Sequence, residues 1–427
     1  MQASRRFLPA HTPLRLAIAL ALLVGCGGHA PDDPRPGSAQ DLAPEVDPDQ
    51  LARLHALGYV DVGRPLAPDT EVGVRRLDAE RAQPGLNLFT DAKDCSTRLM
   101  DLRGVILHTW SSTACHRWDN TVLLPSGDLL VVGRTSQAAD SHYLLRQSWD
   151  GDLLWQRAIP AHHDVELTPQ GRILTLTESV RELVEVDPTI PVLDHHLELL
   201  TPDGRLVDRR SLWDLLRAAP ELVTIRRVPP RTLDGLRRID LFHSNSIEWM
   251  RHPALAGTHA LYGENTVLVS IRRQDLVAIV DWDAQRVIWA WGQGELSGQH
   301  DATLLAGGNI LIFDNGLGRD WSRVVEVDPR TRTIVWEYRA PDPRSFYSLS
   351  RGASQRLGNG NTLITESDRG RVFEVTPAGE TVWEFVNPDL TEQREPGVIV
   401  RMRRLEGLDY AALLERLRTG EALPAVD

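Results

Sequence analysis

From Leu86 onward the chain reads as short apolar runs separated by polar turns, and a helical period is almost absent. One unit returns along it. An apolar strand is followed by a turn rich in Asp and Gly, then by a second apolar run that ends in Trp. Copies end at Trp110, Trp155, Trp289, Trp336 and Trp383, and a degenerate copy, Thr201-Pro202-Asp203-Gly204-Arg205-Leu206-Val207, ends without its Trp. The copies are spaced by about 45 to 52 residues, with one step of about 82. A strand unit of that period cannot bury its own faces and must stack on its neighbours, so six units predict an all-β, six-bladed β-propeller. The long step carries an insertion in the third blade, about residues 208–242, with a helical-looking Leu212-Trp213-Asp214-Leu215-Leu216-Arg217. Insertions in repeat folds gather on one face, often the binding face, so this one is expected to act as a lid.

The ends of the chain follow other patterns. Arg5, Arg6 and Arg15 precede an apolar stretch from Leu16 to Val24, the order of a secretory signal over residues 1–25. Leu23-Val24-Gly25-Cys26 resembles a bacterial lipobox, which implies lipidation of Cys26 and an exported protein anchored to a membrane, facing the periplasm or the cell exterior. Residues 26–48 are rich in Pro and Asp and read as a disordered tether. An extension over 49–85 holds one short helix, marked by Leu51, Leu54 and Leu57. The propeller is expected over 86–405, and 406–427 reads as a helical tail. Gly397 to Met402 is placed as the inner strand of a blade whose outer strands come from residues 86–110, which joins the two ends and removes an open edge. Export also allows Cys95 and Cys115 to pair.

Composition narrows the partners. With 42% apolar residues the chain can bury a large core, while a net charge of -12 argues against nucleic acid. A small anion is still compatible, because local arginines matter more to it than the total.

In a propeller the first strand of each blade lines the central channel. Here those strands are expected to begin at His116, His163, His243, His300 and Arg351. Four imidazoles would then converge near one axis, with Arg351 and Arg401 beside them, Arg351 as a candidate substrate-binding residue. A His at a blade start often does no more than tie a turn, but packing has no use for four around a solvated channel. Two chemistries fit. The histidines could hold a transition metal, although no His-x-His or His-x3-His pair supports it, so no metal site and no cofactor are assigned. Alternatively one imidazole is a nucleophile and the others, with arginine, neutralise the charge of a transferred anionic group.

Gln299-His300-Asp301-Ala302 with Phe313-Asp314-Asn315-Gly316, His243-Ser244-Asn245-Ser246, Ser270-Ile271-Arg272-Arg273-Gln274, and Gly358-Asn359-Gly360-Asn361-Thr362-Leu363-Ile364 together resemble the bacterial arylsulfate sulfotransferases over roughly residues 86–405. The resemblance implies an exported transferase that moves a sulfuryl group from an aryl sulfate to a phenol through a sulfohistidine, with no nucleotide donor. It implies His300 as the nucleophile, His243, Asn245 and Arg272 around the sulfate, and His163 as a further site histidine. The absence of a Gly-x4-Gly-Lys-[Ser/Thr] loop agrees with a donor that is not a nucleotide. Asp301, next to the nucleophile, must turn away from an anionic substrate or orient a histidine. The competing reading is a surface lipoprotein that binds a ligand or a protein partner without turnover.

Overall fold

The structure, a computed structural model, describes residues 65–423 apart from 93 and 234. The signal segment, Cys26, the tether and the short helix near Leu51 lie outside the described residues. Six sheets follow one another in sequence, antiparallel except for one short pair in the third. Sheets two, four and five each have four strands: 117–123, 129–134, 142–147 and 153–157; 244–249, 266–271, 276–281 and 286–291; 300–304, 310–314, 323–328 and 333–338. The first sheet closes the ring, because Ile399–Glu406 pairs with Gly85–Asp91 and thereby joins the late inner strand to the early outer ones. In the sixth, Gly73–Leu77 adds a fifth strand on the outer edge of Thr381–Val386. Sequence reading left that segment in the extension; its burial is poor because it covers an edge rather than a core face.

The repeated tryptophans have a bonding reason. Trp110, Trp155, Trp289 and Trp336 lie on the outermost strand of their sheets, and Trp383 on the strand just inside Gly73–Leu77. The indole N–H of Trp289 donates to Pro329 O (2.8 Å), that of Trp336 to Pro377 O (3.0 Å), and that of Trp383 to Leu102 O (2.8 Å). Each bond reaches a turn of the next sheet, and the last one crosses the seam from the sixth to the first. Cores form between neighbouring sheets. Leu268, Ile279 and Trp289 of the fourth meet Ile310, Ile312 and Val325 of the fifth, and each such aliphatic burial contributes about 1.5–3 kcal/mol. Cys95 and Cys115 are joined as a disulfide between the first sheet and the entry to the second.

The third sheet is different. Its strands 161–167, 173–181, 192–200 and 206–211 are joined by Arg231–Leu233 and Leu236–Asp240, the last running parallel to the start of 192–200. Between these lies the helix Leu212–Arg217, capped by Ser211, whose hydroxyl accepts the Asp214 N–H. Leu212, Trp213, Leu215 and Leu216 are buried in the core shared with the fourth sheet. The helical part of the expected lid is therefore a core element, and the hairpin 231–240 is what reaches the channel. A second helix, Tyr410–Thr419, capped by Asp409, packs Leu413 against the first and second sheets. Among the described residues no helix is long and apolar enough to cross a membrane.

Candidate functional site

A cavity in the channel is lined by residues of five sheets and by Ser350, Arg351 and Gly352, the segment leading into the sixth. His163, His243, Asn245, Arg272, His300 and Arg351 all line it. His116 does not, and its neighbour Arg117 takes that place. The strand start had been aligned one residue early there, and Trp118, which bonds the Tyr143 hydroxyl in the core, fixes the actual phase.

His300 is buried, and its Nδ1 lies 2.7 Å from Asn315 Oδ1. The Asn315 amide nitrogen donates to two carbonyls, Ser348 O (2.9 Å) and Arg351 O (2.6 Å). Its oxygen must then face the imidazole as an acceptor, so Nδ1 holds the proton and Nε2 carries the lone pair. Burial first, and then the Arg272 charge, hold the imidazole well below the ordinary histidine range; the Asn315 bond opposes them. It is a neutral, oriented imidazole.

The aspartate beside it is engaged elsewhere. Asp301 accepts the Ser354 N–H (2.7 Å) and the guanidiniums of Arg403 (2.9 Å) and Arg401 (3.0 Å). Burial works against its ionisation, but the two arginines and the Ser354 bond outweigh it and its pKa is lowered. Two other sheets repeat the arrangement. Asp164 accepts Ile247 N–H and Ser246 accepts Ala302 N–H, so the same position ties each inner strand to the next. The residues just before these ties are His163, Asn245 and His300. The tie turns inward-facing residues into a ring, and Asp301 is part of it rather than of the anion site.

Asn245 lines the cavity and donates its amide to Gln299 O (2.8 Å), which holds the backbone directly ahead of His300; the Asn245 side-chain oxygen is buried and makes no hydrogen bond. Gln299 in turn donates to Ser270 Oγ and Leu276 O. Arg272 sits on the short turn Arg272–Gln274, buried, with its pKa lowered to about 10 by burial, then by Arg273 and Arg231. Gln274 fastens this turn to Leu241 O and to Arg226. Much of the sulfotransferase-like motif is thus framework. Gly358-Asn359-Gly360-Asn361 is likewise a hairpin turn, with Asn361 bonded to Arg81 O and Glu374.

His243 Nδ1 bonds Asp240 Oδ2 (2.6 Å), and Arg231 pairs with the same carboxylate. Burial opposes an Asp240 carboxylate, yet its two histidines and Arg231 hold it well below the usual range. Burial also leads at His243; Asp240 pulls the other way, and Arg272 and Arg231 push with burial, leaving it near about 4. His243 is therefore a neutral imidazole with Nδ1–H given to Asp240. The imidazoles form a row: His195 to His162 (centroids 4.6 Å), His162 to His163 (5.1 Å), His163 to His243 (5.0 Å). His163 takes a left-handed φ of 61° to stand there.

Arg117, Asp119, Arg134, His142, His162, Glu178, His195, Arg231, Arg238 and Asp240 also line the cavity and were not singled out from the sequence as chemistry-bearing. The signal for several was present in Asp194-His195-His196 and in the Arg-rich 226–238 segment, but neither belongs to the repeat. No Phe, Tyr or Trp is among the described lining residues.

Comparison with known proteins follows this geometry. Residues 142–388 match the family model described as arylsulfotransferase (ASST). No curated protein matches the chain. Among solved structures it is similar to a protein of unknown function from Bacteroides caccae, at 13% identity over 75% of this chain and 98% of that one, TM-score 0.48. A streptogramin B lyase matches at 13% identity over 79% and 87%, TM-score 0.43. An inactive virginiamycin B lyase from Staphylococcus aureus matches at 11% identity over 74% and 88%, TM-score 0.40.

Proposed function

The chain belongs to the arylsulfotransferase family, and from that premise we propose that it is an exported transferase moving a sulfuryl group from an aryl sulfate to a phenol by way of His300. The observation that carries the reading is the Asn315 lock, which leaves a neutral imidazole with its Nε2 lone pair on the cavity side of a ring that also holds Arg272. In the first half-reaction Nε2 attacks sulfur, the N–S bond forms, the ester S–O bond breaks, and the aryl oxygen leaves as phenolate. Arg272 stabilises the charge on the sulfonate oxygens. In the second half, His243 Nε2 takes the proton of the acceptor phenol, helped by the Asp240 carboxylate on its other nitrogen. The phenolate then attacks sulfur, the N–S bond breaks, and His300 is restored. His243 returns its proton to the first phenolate through solvent.

The engagement of Asp301 with Arg401, Arg403 and Ser354 removes the main argument against turnover. Arg351, whose carbonyl supports Asn315 and whose side chain lines the cavity, serves the anion as well. No cofactor takes part in these steps. Lipidation at Cys26 and a membrane-anchored position outside the cytoplasm complete the proposal, and both rest on the sequence pattern.

The test is incubation of the purified chain with p-nitrophenyl sulfate, with and without phenol. Acceptor-dependent nitrophenol release, a ping-pong pattern, and a fall of about 10³-fold or more in His300→Ala with unchanged circular dichroism are expected. Release by His300→Ala at the wild-type rate would sink the reading.

A further inference from the structure

Three cavity residues stand on neighbouring strands of the third sheet: His162 on 161–167, Glu178 on 173–181 and His195 on 192–200. Glu178 and His195 are cross-strand partners in register. One ligand atom of each lies within 4.8 Å of the others. His195 Nε2 is 3.7 Å from Glu178 Oε2 and 3.6 Å from Asp240 Oδ1. Both imidazoles are more than nine-tenths buried, and His162 Nε2, His195 Nε2 and Asp240 Oδ1 make no hydrogen bond. Three unbonded buried polar atoms at one spot are costly, because each forfeits its water without replacement.

We propose that this corner of the cavity is a binding site for one divalent first-row transition-metal ion, held by His162 Nε2, His195 Nε2 and Glu178, with Asp240 Oδ1 at its edge. Two imidazoles and a carboxylate are the donor set that such ions favour. Ligand bonds of about 2.0–2.2 Å require the donor atoms to draw together by about 1 Å, within reach of side-chain rotation on a fixed sheet. Ser244 supports the outer nitrogen. His195 Nδ1 has Ser244 Oγ at 2.7 Å and Ser244 N–H at 3.2 Å. A backbone N–H can only donate, so without the ion Nδ1 accepts it and Nε2 carries the proton; ion binding frees the Nε2 lone pair by moving that proton to Nδ1, where the Ser244 hydroxyl can accept it. Glu178 offsets one of the ion's two charges, while Asp240, paired with Arg231 through Oδ2, presents Oδ1 to it. The ion would sit behind the imidazole row leading to His243 and add positive potential where an anionic substrate binds. That role rests on the sulfuryl-transfer reading; the existence of the site does not.

The test uses the full chain stripped of metal by chelation, with Zn²⁺ as the probe in calorimetric titration and elemental analysis. One ion per chain is expected, with affinity reduced at least tenfold in both Glu178→Gln and His162→Ala. Co²⁺ should give the visible absorption of a low-coordinate ion, absent in the variants. Glu178 is partly exposed, so its Gln variant should fold, as circular dichroism will report. Absence of saturable uptake overturns the proposal. So does uptake unchanged in either variant, which would place the ion elsewhere, for example on Asp91, Asp94 and Asp389. Acceptor-dependent sulfuryl transfer is measured on the same stripped chain, so loss of the metal proposal and loss of the His300 proposal give separate results.

Discussion

In the fifth sheet the second strand stops at Asp314, one residue beyond Phe313, the partner of His300. In the third sheet strands two and three run on together for four further pairs, Glu178 with His195 through Arg181 with Val192, past the last pair that strand two makes with the inner strand. The hairpin 231–240 then lays Ile239 and Asp240 alongside Val192 and Leu193. The fifth sheet gives the cavity a nucleophile and its lock from within the ordinary repeat. The third gives it an overhang, which carries Glu178, His195, Arg231, Arg238 and Asp240. The repeated part of the fold places the attacking atom, and the irregular part sets the charge around it.

If that division holds, losses on the regular side should be the larger ones. Arg272, on a turn of the regular fourth sheet, is the strongest case outside His300. Arg272→Ala is expected to lower kcat by about 10²–10³-fold, as for loss of one transition-state donor. It should also move the pH profile. Attack needs the neutral imidazole, and His300 is held below 6.5 by burial first and Arg272 second, so the wild-type rate stays level as pH falls through 6.5 and declines only in more acid solution. Without the Arg272 charge the His300 pKa rises, and the acid limb shifts to higher pH. A wild-type profile that bends at the ordinary imidazole value would mean that His300 is not in the state described.

Asn315→Leu comes next. It removes the oxygen that fixes the His300 tautomer and frees two carbonyls, Ser348 O and Arg351 O. A fall of about 10–100-fold in kcat is expected, the usual cost of losing an orienting partner, with KM moving much less. Stopped-flow rates of the first nitrophenol release would show it. Equal losses in kcat and in binding would instead make Asn315 part of the substrate pocket.

The same contrast explains what could be read in advance. The six-fold plan was legible because the Trp recurs late in five of the sheets, and in three of them its indole N–H bonds the next sheet, a need that recurs and so leaves a period in the sequence. His163, His243 and His300 were legible for the same reason, as each lies within two residues of the start of an inner strand. His116 misled by one residue, since the start of a strand is fixed by core packing at Trp118 and not by the histidine. Glu178, His195 and Asp240 left no such trace. They lie where strands overrun their pattern, and His195 sits in Val192–Leu200, a strand buried on both faces and lacking the alternation that would mark an inward polar residue. Asp301 was doubtful for want of its partners, Arg401 and Arg403, which are about a hundred residues away and meet it only because the ring closes.

The smallest effect is expected at Arg238, on the hairpin of the overhang. It lines the cavity, is partly exposed, and stands opposite Arg231, which is already committed to Asp240. A partly exposed guanidinium at a cavity rim acts mainly by attracting an anion from solution, and salt screens it over about 8 Å at physiological ionic strength. Arg238→Ala should therefore raise KM for an aryl sulfate a few-fold, leave kcat unchanged, and lose most of its effect at high salt. Because a uniform binding interaction changes KM alone, a fall in kcat would show the hairpin acting on the transition state itself. The route open to it would be Arg231 and Asp240 on His243. In that case the overhang would belong to the catalytic machinery as fully as the fifth sheet, and the division between placing and charging would fail at its weakest member.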